Sequence, residues 1–240
     1  MRYAILSDIH GNFEALKAVL EGLESEHVDA YVCLGDIVGY GPEPAECVRE
    51  VRRLSSTVIA GNHDLAVCGR VSAQSFNVYA REAIGWTRQV LGGEDLEYLG
   101  QLPLAQSVDG MELAHGTLYA PELFDYLQTS YDAYLSMEEM KGPVCFVGHS
   151  HVPVSFVRDE IICYRLDAEV PVDPEGRVIV NVGSVGQPRD KDPRACYAVY
   201  DTERCVVRIH RARYDVNSVS LKIKEVGLPA ALGERLRLGR

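Results

Sequence analysis

Residues 3–12 read YAILSDIHGN, a short apolar run followed by an acid, a histidine and an asparagine. A continuous apolar run of this kind is typical of a strand that is buried on both faces of a sheet. Beyond it, apolar side chains recur at helical spacing from Phe13 to Leu23, and Asn12 is a suitable N-cap. The segment therefore predicts a strand, a polar turn and a helix, the repeating unit of an α/β fold.

The first two-thirds of the chain repeats this pattern. Further buried strands are predicted at Ala30–Leu34, Thr57–Ala60, Met111–Ala114 and Val144–Val147. Helices are predicted at residues 44–53, 75–91 and 131–140, with Pro44 as a favourable first residue and Gly142-Pro143 as a stop.

From Val154 onward the pattern changes to closely spaced short strands with turn-like connections, which favour antiparallel pairing. These strands are predicted at residues 154–158, 161–165, 178–182, 196–200 and 205–209. A helix is predicted at 215–226, whereas residues 228–240 show no clear pattern. Because no linker, repeat or composition break appears, we expect residues 1–240 to form one α/β domain with more than one sheet.

Composition excludes several classes of protein. The formal net charge of −11, from 24 basic and 35 acidic residues, argues against a basic surface for a nucleic-acid duplex. No segment is long and apolar enough to predict a membrane span. The seven cysteines include no C-x-x-C pair, and the N-terminal apolar run is too short for a signal peptide, so a cytoplasmic protein is expected.

Polar residues follow five of the predicted strands. They are Asp8 and His10, then Asp36, then Asn62, His63 and Asp64, then His115, and finally His149 and His151. Ligands of open α/β sheets bind at the carboxyl ends of the strands, so these side chains are expected to meet at one edge.

Carboxylate, imidazole and amide groups without thiolates suit Mn, Fe, Zn, Co or Ni. In an extended segment, the spacings Asp8-x-His10 and His149-x-His151 would point both side chains the same way. The seven potential ligands are Asp8, His10, Asp36, Asn62, His115, His149 and His151. Seven ligands are too many for one tetrahedral ion and suit two divalent ions if a carboxylate bridges them.

Each motif alone also has an ordinary interpretation. Asp8-Ile9-His10-Gly11 could be a capped turn, Gly61-Asn62-His63-Asp64 a simple turn, and His115 a buried, hydrogen-bonded histidine. Five such signals at strand ends favour a shared site instead. His27 and His210 lack this context and are interpreted as surface or packing residues.

The order of these motifs, from Asp8-x-His10 to Gly148-His149-x-His151, resembles the calcineurin-like metallophosphoesterase superfamily across roughly residues 3–189. Segments 39–42 and 181–189 are similar to those of its small prokaryotic one-domain phosphodiesterases. The resemblance implies two packed mixed β-sheets flanked by helices, an αββα sandwich with a two-metal site. It implies one ion on Asp8, His10, Asp36 and His151, and a second on Asp36, Asn62, His115 and His149, with Asp36 as the bridge.

The same resemblance implies a small phosphate ester as substrate and a phosphodiesterase rather than a phosphomonoesterase. In this hypothesis a metal-bridging hydroxide attacks in line, and His63, which lies outside the ligand set, acts as the acid. Asp64 is expected to orient that histidine. Asn12 and Arg189 are candidate substrate contacts, although a helix cap and a surface residue are equally ordinary interpretations.

Other functions stay open at this point. Protein serine/threonine phosphatases and symmetrical dinucleoside tetraphosphatases carry an arginine soon after the second-motif acid, whereas residues 35–40 here read GDIVGY. A phosphomonoesterase or nucleotide phosphatase, or a catalytically weak binding module, are the alternatives. A serine hydrolase is disfavoured because segment 183–186 lacks G-x-S-x-G spacing. The loops at 40–46, 66–77, 118–130 and 187–194 are expected to form the pocket walls, and the oligomeric state is not predicted.

Overall fold

The computed structural model describes residues 1–55 and 57–240, and its strands form two six-stranded sheets. The strands of the first sheet are β1 (Arg2–Leu6), β2 (Ala30–Cys33), β3 (Thr57–Val58), β9 (Glu169–Pro171), β11 (Ala195–Asp201) and β12 (Val206–Ala212). Those of the second sheet are β4 (Ala105–Val108), β5 (Met111–Ala114), β6 (Val144–Val147), β7 (Val154–Arg158), β8 (Ile162–Arg165) and β10 (Arg177–Asn181).

Eight α-helices occur in the described part of the chain and flank the sheets. They are α1 (Phe13–Leu23), α2 (Pro44–Leu54), α3 (Asn62–Val67), α4 (Val78–Val90), α5 (Gly93–Gln101), α6 (Ser130–Glu139), α7 (Val216–Glu225) and α8 (Ala230–Leu238). Asn12 caps α1 by accepting a hydrogen bond from the Ala15 N–H at 3.1 Å, as predicted.

Both sheets are mixed. The first has the strand order β3-β2-β1-β11-β12-β9, in which β1, β2 and β3 are parallel and the remaining pairs antiparallel. The second has the order β4-β5-β6-β10-β7-β8, with β5, β6 and β10 parallel. The carboxyl ends of the parallel strands therefore provide two adjoining sheet edges for a site.

The sheets pack face to face, and the alternation of side chains along each strand explains the continuous apolar runs. On β1, Tyr3 and Ile5 point into the core between the sheets, where they join Phe146 of β6. Ala4 and Leu6 point the other way, into the core under the helices. These observations confirm the predicted fold class.

The structure differs from the sequence-based prediction in several elements. Asn62 begins helix α3 rather than a simple turn, and the apparently patternless tail contains α8. Helix α4 begins at Val78 because the Asn77 side chain accepts the Ala80 N–H at 3.1 Å. Strands β4 and β9 are short edge strands with few buried residues, which left little hydrophobic pattern to detect.

Strand pairing was predicted correctly only in part. Most of the later strands pair antiparallel, but β10 also runs parallel to β6, and β11 inserts between β1 and β12. The seven cysteines are all free. In residues 1–55 and 57–240, no helix combines the length and apolarity that crossing a membrane requires.

Candidate metal centre

The polar residues that follow strands of both sheets meet at one edge of the molecule. Asp8 and His10 follow β1, Asp36 follows β2, Asn62 begins α3 after β3, His115 follows β5, and His149 and His151 follow β6. All are buried except Asn62, which is half-buried. The first sheet thus supplies the acids and the amide, and the second sheet supplies three of the four imidazoles.

The loops that carry these side chains use left-handed backbone. Asp8 and His10 have φ of 53° and 50°, and His149 and His151 have φ of 65° and 61°. This corrects the expectation that an extended backbone segment points the two side chains of each pair the same way. The left-handed region is uncommon for residues other than glycine and is concentrated at functional sites.

One group of potential ligands contains Asp8, His10 and His151. His151 Nε2 lies 3.2 Å from Asp8 Oδ1, and His10 Nε2 lies 3.7 Å from the same oxygen. The two imidazole nitrogens are 3.2 Å apart. Three ligand atoms therefore converge within the space of one cation.

A second group, next to the first, contains Asp36, His115 and His149. His115 Nε2 lies 3.3 Å from Asp36 Oδ2. His10 of the first group lies 3.5 Å from this same oxygen. Asp36 consequently faces both groups, which is the position that a bridging carboxylate requires.

Backbone carbonyls orient three of the imidazoles. The Nδ1 atoms of His10, His115 and His151 lie 3.0, 2.7 and 2.6 Å from the carbonyl oxygens of Val38, Leu34 and Gln187. Each Nδ1–H can donate to its carbonyl, which directs Nε2 into the site. Such partners fix the tautomer of metal-binding histidines.

Several buried polar atoms of the cluster lack a hydrogen-bond partner within the described residues. They are Asp8 Oδ1, Asn62 Oδ1, His115 Nε2 and His149 Nδ1. A buried polar group without a partner costs about 1–3 kcal/mol, and such a group calls for an explanation. Oxygen and nitrogen donors in this arrangement fit divalent transition metals, so the residues present are suited to hold them.

A cleft of about 370 Å³ opens beside the ligands. Four ligands contribute to its wall, namely Asp36, Asn62, His149 and His151, and His63 lies with them. The other lining residues are Tyr40, Val71, Ser75, Phe76, Asn77, Leu123, Phe124, Tyr126 and Arg189. All nine lie in the four loops that the sequence indicated as pocket walls.

A sequence profile of the calcineurin-like phosphoesterase superfamily domain matches residues 1–204. The chain belongs to this superfamily. It is 40% identical to an uncharacterized protein of Methanocaldococcus jannaschii, over 99% of this chain and 98% of that protein. It also resembles the crystal structure of a metallophosphoesterase from Sphaerobacter thermophilus, with a TM-score of 0.89 and 40% identity over 100% and 99% of the two chains. The phosphodiesterase YfcE of Escherichia coli is 25% identical over 85% of this chain and 89% of its own.

His63 lines the cleft. Its ring packs against Tyr40 at 4.5 Å and Phe76 at 4.9 Å between ring centroids, and its backbone N–H donates to Asp36 Oδ1 at 2.8 Å. The imidazole also forms a third possible ligand group with His10 and Asp36. His63 is therefore placed either to contact a substrate or to contribute to metal binding.

Asp64 does not contact the His63 ring in the way that the sequence suggested. Its carboxylate accepts the Val38 N–H at 3.2 Å and the Gly61 N–H at 3.0 Å, and no hydrogen bond to His63 occurs among the described residues. Asp64 thus joins the loop after β2 to the start of α3. Its influence on His63 is exerted through the backbone.

Of the two candidate substrate contacts, only Arg189 lies in the cleft. Asn12 is fully occupied elsewhere, because its Oδ1 caps α1 and its Nδ2 donates to the Gly186 carbonyl at 2.9 Å. The helix-cap interpretation of Asn12 therefore replaces the substrate-contact interpretation. Arg189 bonds Gln187 through Nη2 at 3.0 Å, while its buried Nε has no partner within the described chain.

Burial and charge shift the pKa values of the cluster in different directions. Burial lowers the pKa of His63 to about 4 and that of His149 to about 3. For His115, burial acts to lower the pKa, but the nearby carboxylates of Asp36 and Asp8 outweigh it and raise the pKa to about 9. At pH 7 the His63 ring is neutral, and it still offers one N–H to a hydrogen-bond acceptor.

The aromatic walls of the cleft were not singled out from the sequence. Tyr126 stacks on the His149 ring with centroids 4.2 Å apart and an interplanar angle of 17°, and Phe124 approaches His115 edge-on at 6.1 Å. A cluster of aromatic residues at 119–126, directly after the fourth motif, was the available signal. These rings cover the ligands on the side of the second sheet.

Proposed function

We propose that the chain is a dimetal-dependent phosphodiesterase that hydrolyses a small phosphate ester. The observation that carries the proposal is the position of Asp36 between two converging ligand groups at the base of an open cleft. The similarity to YfcE, which is named a phosphodiesterase, supports the choice of a diester.

The two ions would be Mn, Fe, Zn, Co or Ni. One ion would be held by Asp8, His10, Asp36 and His151, and the other by Asp36, Asn62, His115 and His149. Bound divalent cations would supply Lewis-acid activation of water and neutralisation of phosphoryl charge.

The protein's own side chains would do the remaining work. His63 would donate its ring N–H to the leaving oxygen, since it faces the cleft beside Asp36. Arg189 would contact the substrate from the wall of the cleft that Tyr40 also lines. Asp64 would keep Asn62 and His63 in place by anchoring the first turn of α3.

The proposal can be tested by hydrolysis of bis-p-nitrophenyl phosphate after dialysis against a chelator, with and without added Mn²⁺. We expect turnover only with metal, and a higher kcat/KM for this diester than for p-nitrophenyl phosphate. The Asp36→Asn variant, purified identically, controls for a contaminating phosphatase. Turnover that survives chelation would refute a metal-dependent reaction.

The alternatives predict different results in the same assay. A phosphomonoesterase or nucleotide phosphatase would prefer p-nitrophenyl phosphate, because its cleft would be complementary to a terminal phosphate. A binding module with this fold would take up Mn²⁺ and hydrolyse neither compound. Each result would overturn the phosphodiesterase assignment.

We also propose that residues 1–240 act as one domain in the cytoplasm. Tyr40 of the cleft packs in one apolar cluster with Val219 and Ile223 of α7 and Leu232 of α8, so the C-terminal helices support the site. Seven free cysteines suit a reducing compartment.

A further inference from the structure

The loop between β5 and α6 places the Tyr126 ring directly on one of the candidate ligands. Tyr126 stacks on the His149 imidazole with ring centroids 4.2 Å apart and an interplanar angle of 17°. An aromatic ring has two faces, and this contact uses one of them. Tyr126 also lines the cleft and is 46% exposed. A large part of its side chain is therefore available to a molecule bound in the cleft.

The backbone of this loop holds Tyr126 in place. A Cβ atom at Gly116, the residue after the ligand His115, would lie 2.5 Å from the Asp125 carbonyl oxygen. The chain just before Tyr126 thus packs against the segment that carries a ligand. Phe124 has a left-handed φ of 52°, a conformation that is costly for a bulky residue and is concentrated at functional sites. The position of the Tyr126 ring is therefore set together with the metal centre.

Apolar side chains around the ring give the cleft room for more than a phosphate group. Leu123 lines the cleft yet is 62% exposed, and Val71 and Phe76 add apolar surface from the segment between α3 and α4. The cleft volume of about 370 Å³ lies in the range of sites for small organic ligands, roughly 300–1,000 Å³. A flat apolar group suits such walls, because it covers ring faces and removes them from water.

We propose that Tyr126, backed by His149, is a stacking platform for a planar ring in an ester group of the substrate. The substrate class is accordingly a phosphate ester that carries an aromatic ring, either an aryl group or a nucleobase, since both stack on tyrosine. This inference rests on the proposed phosphodiesterase function. It makes Tyr126 a specificity-determining residue.

Calorimetric binding of phosphonates to the Mn²⁺-loaded full chain tests the platform without requiring turnover. Phenyl-, benzyl- and 2-phenylethylphosphonate place the ring at three distances from the anionic group. The cyclohexyl counterparts of these compounds have similar size and apolarity but no flat π face. We expect at least one aromatic compound to bind about three- to tenfold more tightly than its cyclohexyl counterpart, the worth of one aromatic contact beyond the burial of area.

A further compound, 9-(2-phosphonomethoxyethyl)adenine, distinguishes the two sources of the ring, and its affinity is compared with that of methylphosphonate. A preference for the adenine compound that depends on Tyr126 would identify a nucleoside ester. A preference for the phenyl series that depends on Tyr126 would identify an aryl ester. Either result supports the platform.

Two variants of Tyr126 separate the ring from its bulk, with Mn²⁺ at a concentration that saturates each protein. Tyr126→Phe should keep the aromatic preference because the flat ring remains, whereas Tyr126→Leu should abolish it. Tyr131→Leu is the matched control, the same exchange at an exposed tyrosine of α6 that is not among the described residues lining the cleft. It should retain the wild-type preference.

The ratio of two affinities measured on one variant is insensitive to a general loss of folded protein. Elemental analysis of the same samples gives their Mn²⁺ content. A merely structural role of Tyr126 would lower the Mn²⁺ content of Tyr126→Leu and leave the ratio unchanged, which would overturn the proposal.

The platform is also disproved if the wild-type chain prefers none of the aromatic compounds. Hydrolysis of bis-p-nitrophenyl phosphate reports on the proposed function separately. Diester turnover without a preference for a planar ring would remove only the platform. A ring preference without turnover would remove only the phosphodiesterase.

Discussion

At the scale of single residues, His63 has two possible roles that one substitution separates. It faces the cleft as a potential hydrogen-bond donor to the leaving oxygen, yet it also forms a ligand group with His10 and Asp36. For His63→Ala we expect unchanged metal content and a turnover of bis-p-nitrophenyl phosphate that is lower by about 10²–10⁴-fold. Elemental analysis of the gel-filtered protein and steady-state kinetics measure the two quantities.

The control for this experiment is His27→Asn. His27 is exposed and has a left-handed φ of 49°, a conformation that asparagine tolerates. Its replacement should leave both metal content and turnover as they are. Loss of a metal equivalent in His63→Ala would identify His63 as a ligand, and full activity would remove its role altogether.

Asp36 and Asp8 are both buried acids of the cluster, but Asp36 lies closer to both ligand groups together, at 3.5 Å from His10 and 3.3 Å from His115, whereas Asp8 lies 3.9 Å from His115. Asp36→Asn should therefore reduce both metal equivalents, whereas Asp8→Asn should reduce mainly one. Asparagine keeps the shape of the side chain, and its Oδ1 can still accept the His63 N–H. Metal stoichiometry after gel filtration measures the effect. An Asp36→Asn protein with one full equivalent would contradict bridging.

At the scale of secondary structure elements, the turn from β3 into α3 requires glycine for steric reasons. A Cβ atom at Gly61 would lie 2.0 Å from Asp36 Oδ1 and 2.3 Å from Asp36 N, although φ is an ordinary −94°. Gly61→Ala should displace Asp36, weaken metal binding and lower the free energy of unfolding by about 1–3 kcal/mol. Thermal unfolding and Mn²⁺ titration measure these effects.

Gly85 provides the matched comparison. It lies on the exposed side of α4, and a Cβ there would meet nothing within 4 Å. Gly85→Ala should stabilise the protein by about 1 kcal/mol through helix propensity and leave metal binding unchanged. If both glycine variants bound Mn²⁺ equally well, the close approach at Gly61 would not be what positions Asp36.

The attachment of α7 to helices α1 and α2 is expected to depend on pH. Lys222 of α7 donates to Glu14 of α1 and, at 2.7 Å, to Glu43 at the start of α2. Burial, and then the Glu14 carboxyl, raise the pKa of Glu43 from 4.5 to about 7. The folded protein therefore holds a proton that the unfolded chain has lost, and this contribution to stability disappears as the pH rises from 4.5 through 7.

Glu43→Gln removes this titration. Between pH 5 and pH 8 the wild-type protein should lose about 1 kcal/mol of stability relative to the variant, a modest amount because the pair is partly open to solvent. Urea unfolding at several pH values measures the difference. Glu82→Gln, an exposed position on α4 with the same change in charge, should follow the wild-type curve. Parallel curves for wild type and Glu43→Gln would contradict the proposal that Glu43 holds a proton in the folded protein.

At the scale of the whole molecule, bound metal should hold the two sheets together. Asp8 and Asp36 come from the first sheet, whereas His115 and His149 come from the second. An ion bound only by the folded state at 100 times its dissociation constant stabilises by about 2.7 kcal/mol. Removal of the metal should thus lower the Tm, and Mn²⁺ should restore it in wild type but much less in Asp36→Asn. An unchanged Tm despite full metal loss would contradict this coupling.

Much of the fold could be predicted because local patterns encode it. Apolar runs and capping rules involve neighbouring residues only. They predict strands β1 and β6, the cap at Asn12 and the clustering of motif residues at strand ends. The tail around α8 could not, because its apolar residues show little helical periodicity and its packing partner, Tyr40, is far away in the sequence.

The sequence by itself determined the family, the set of possible ligands and the loops that surround the cleft, since each depends on residue type and order along the chain. Only the tertiary structure decided that Asp36 faces both ligand groups and that Asp64 binds backbone rather than His63. These relations are distances between residues remote in sequence, which packing of the two sheets and the C-terminal helices sets.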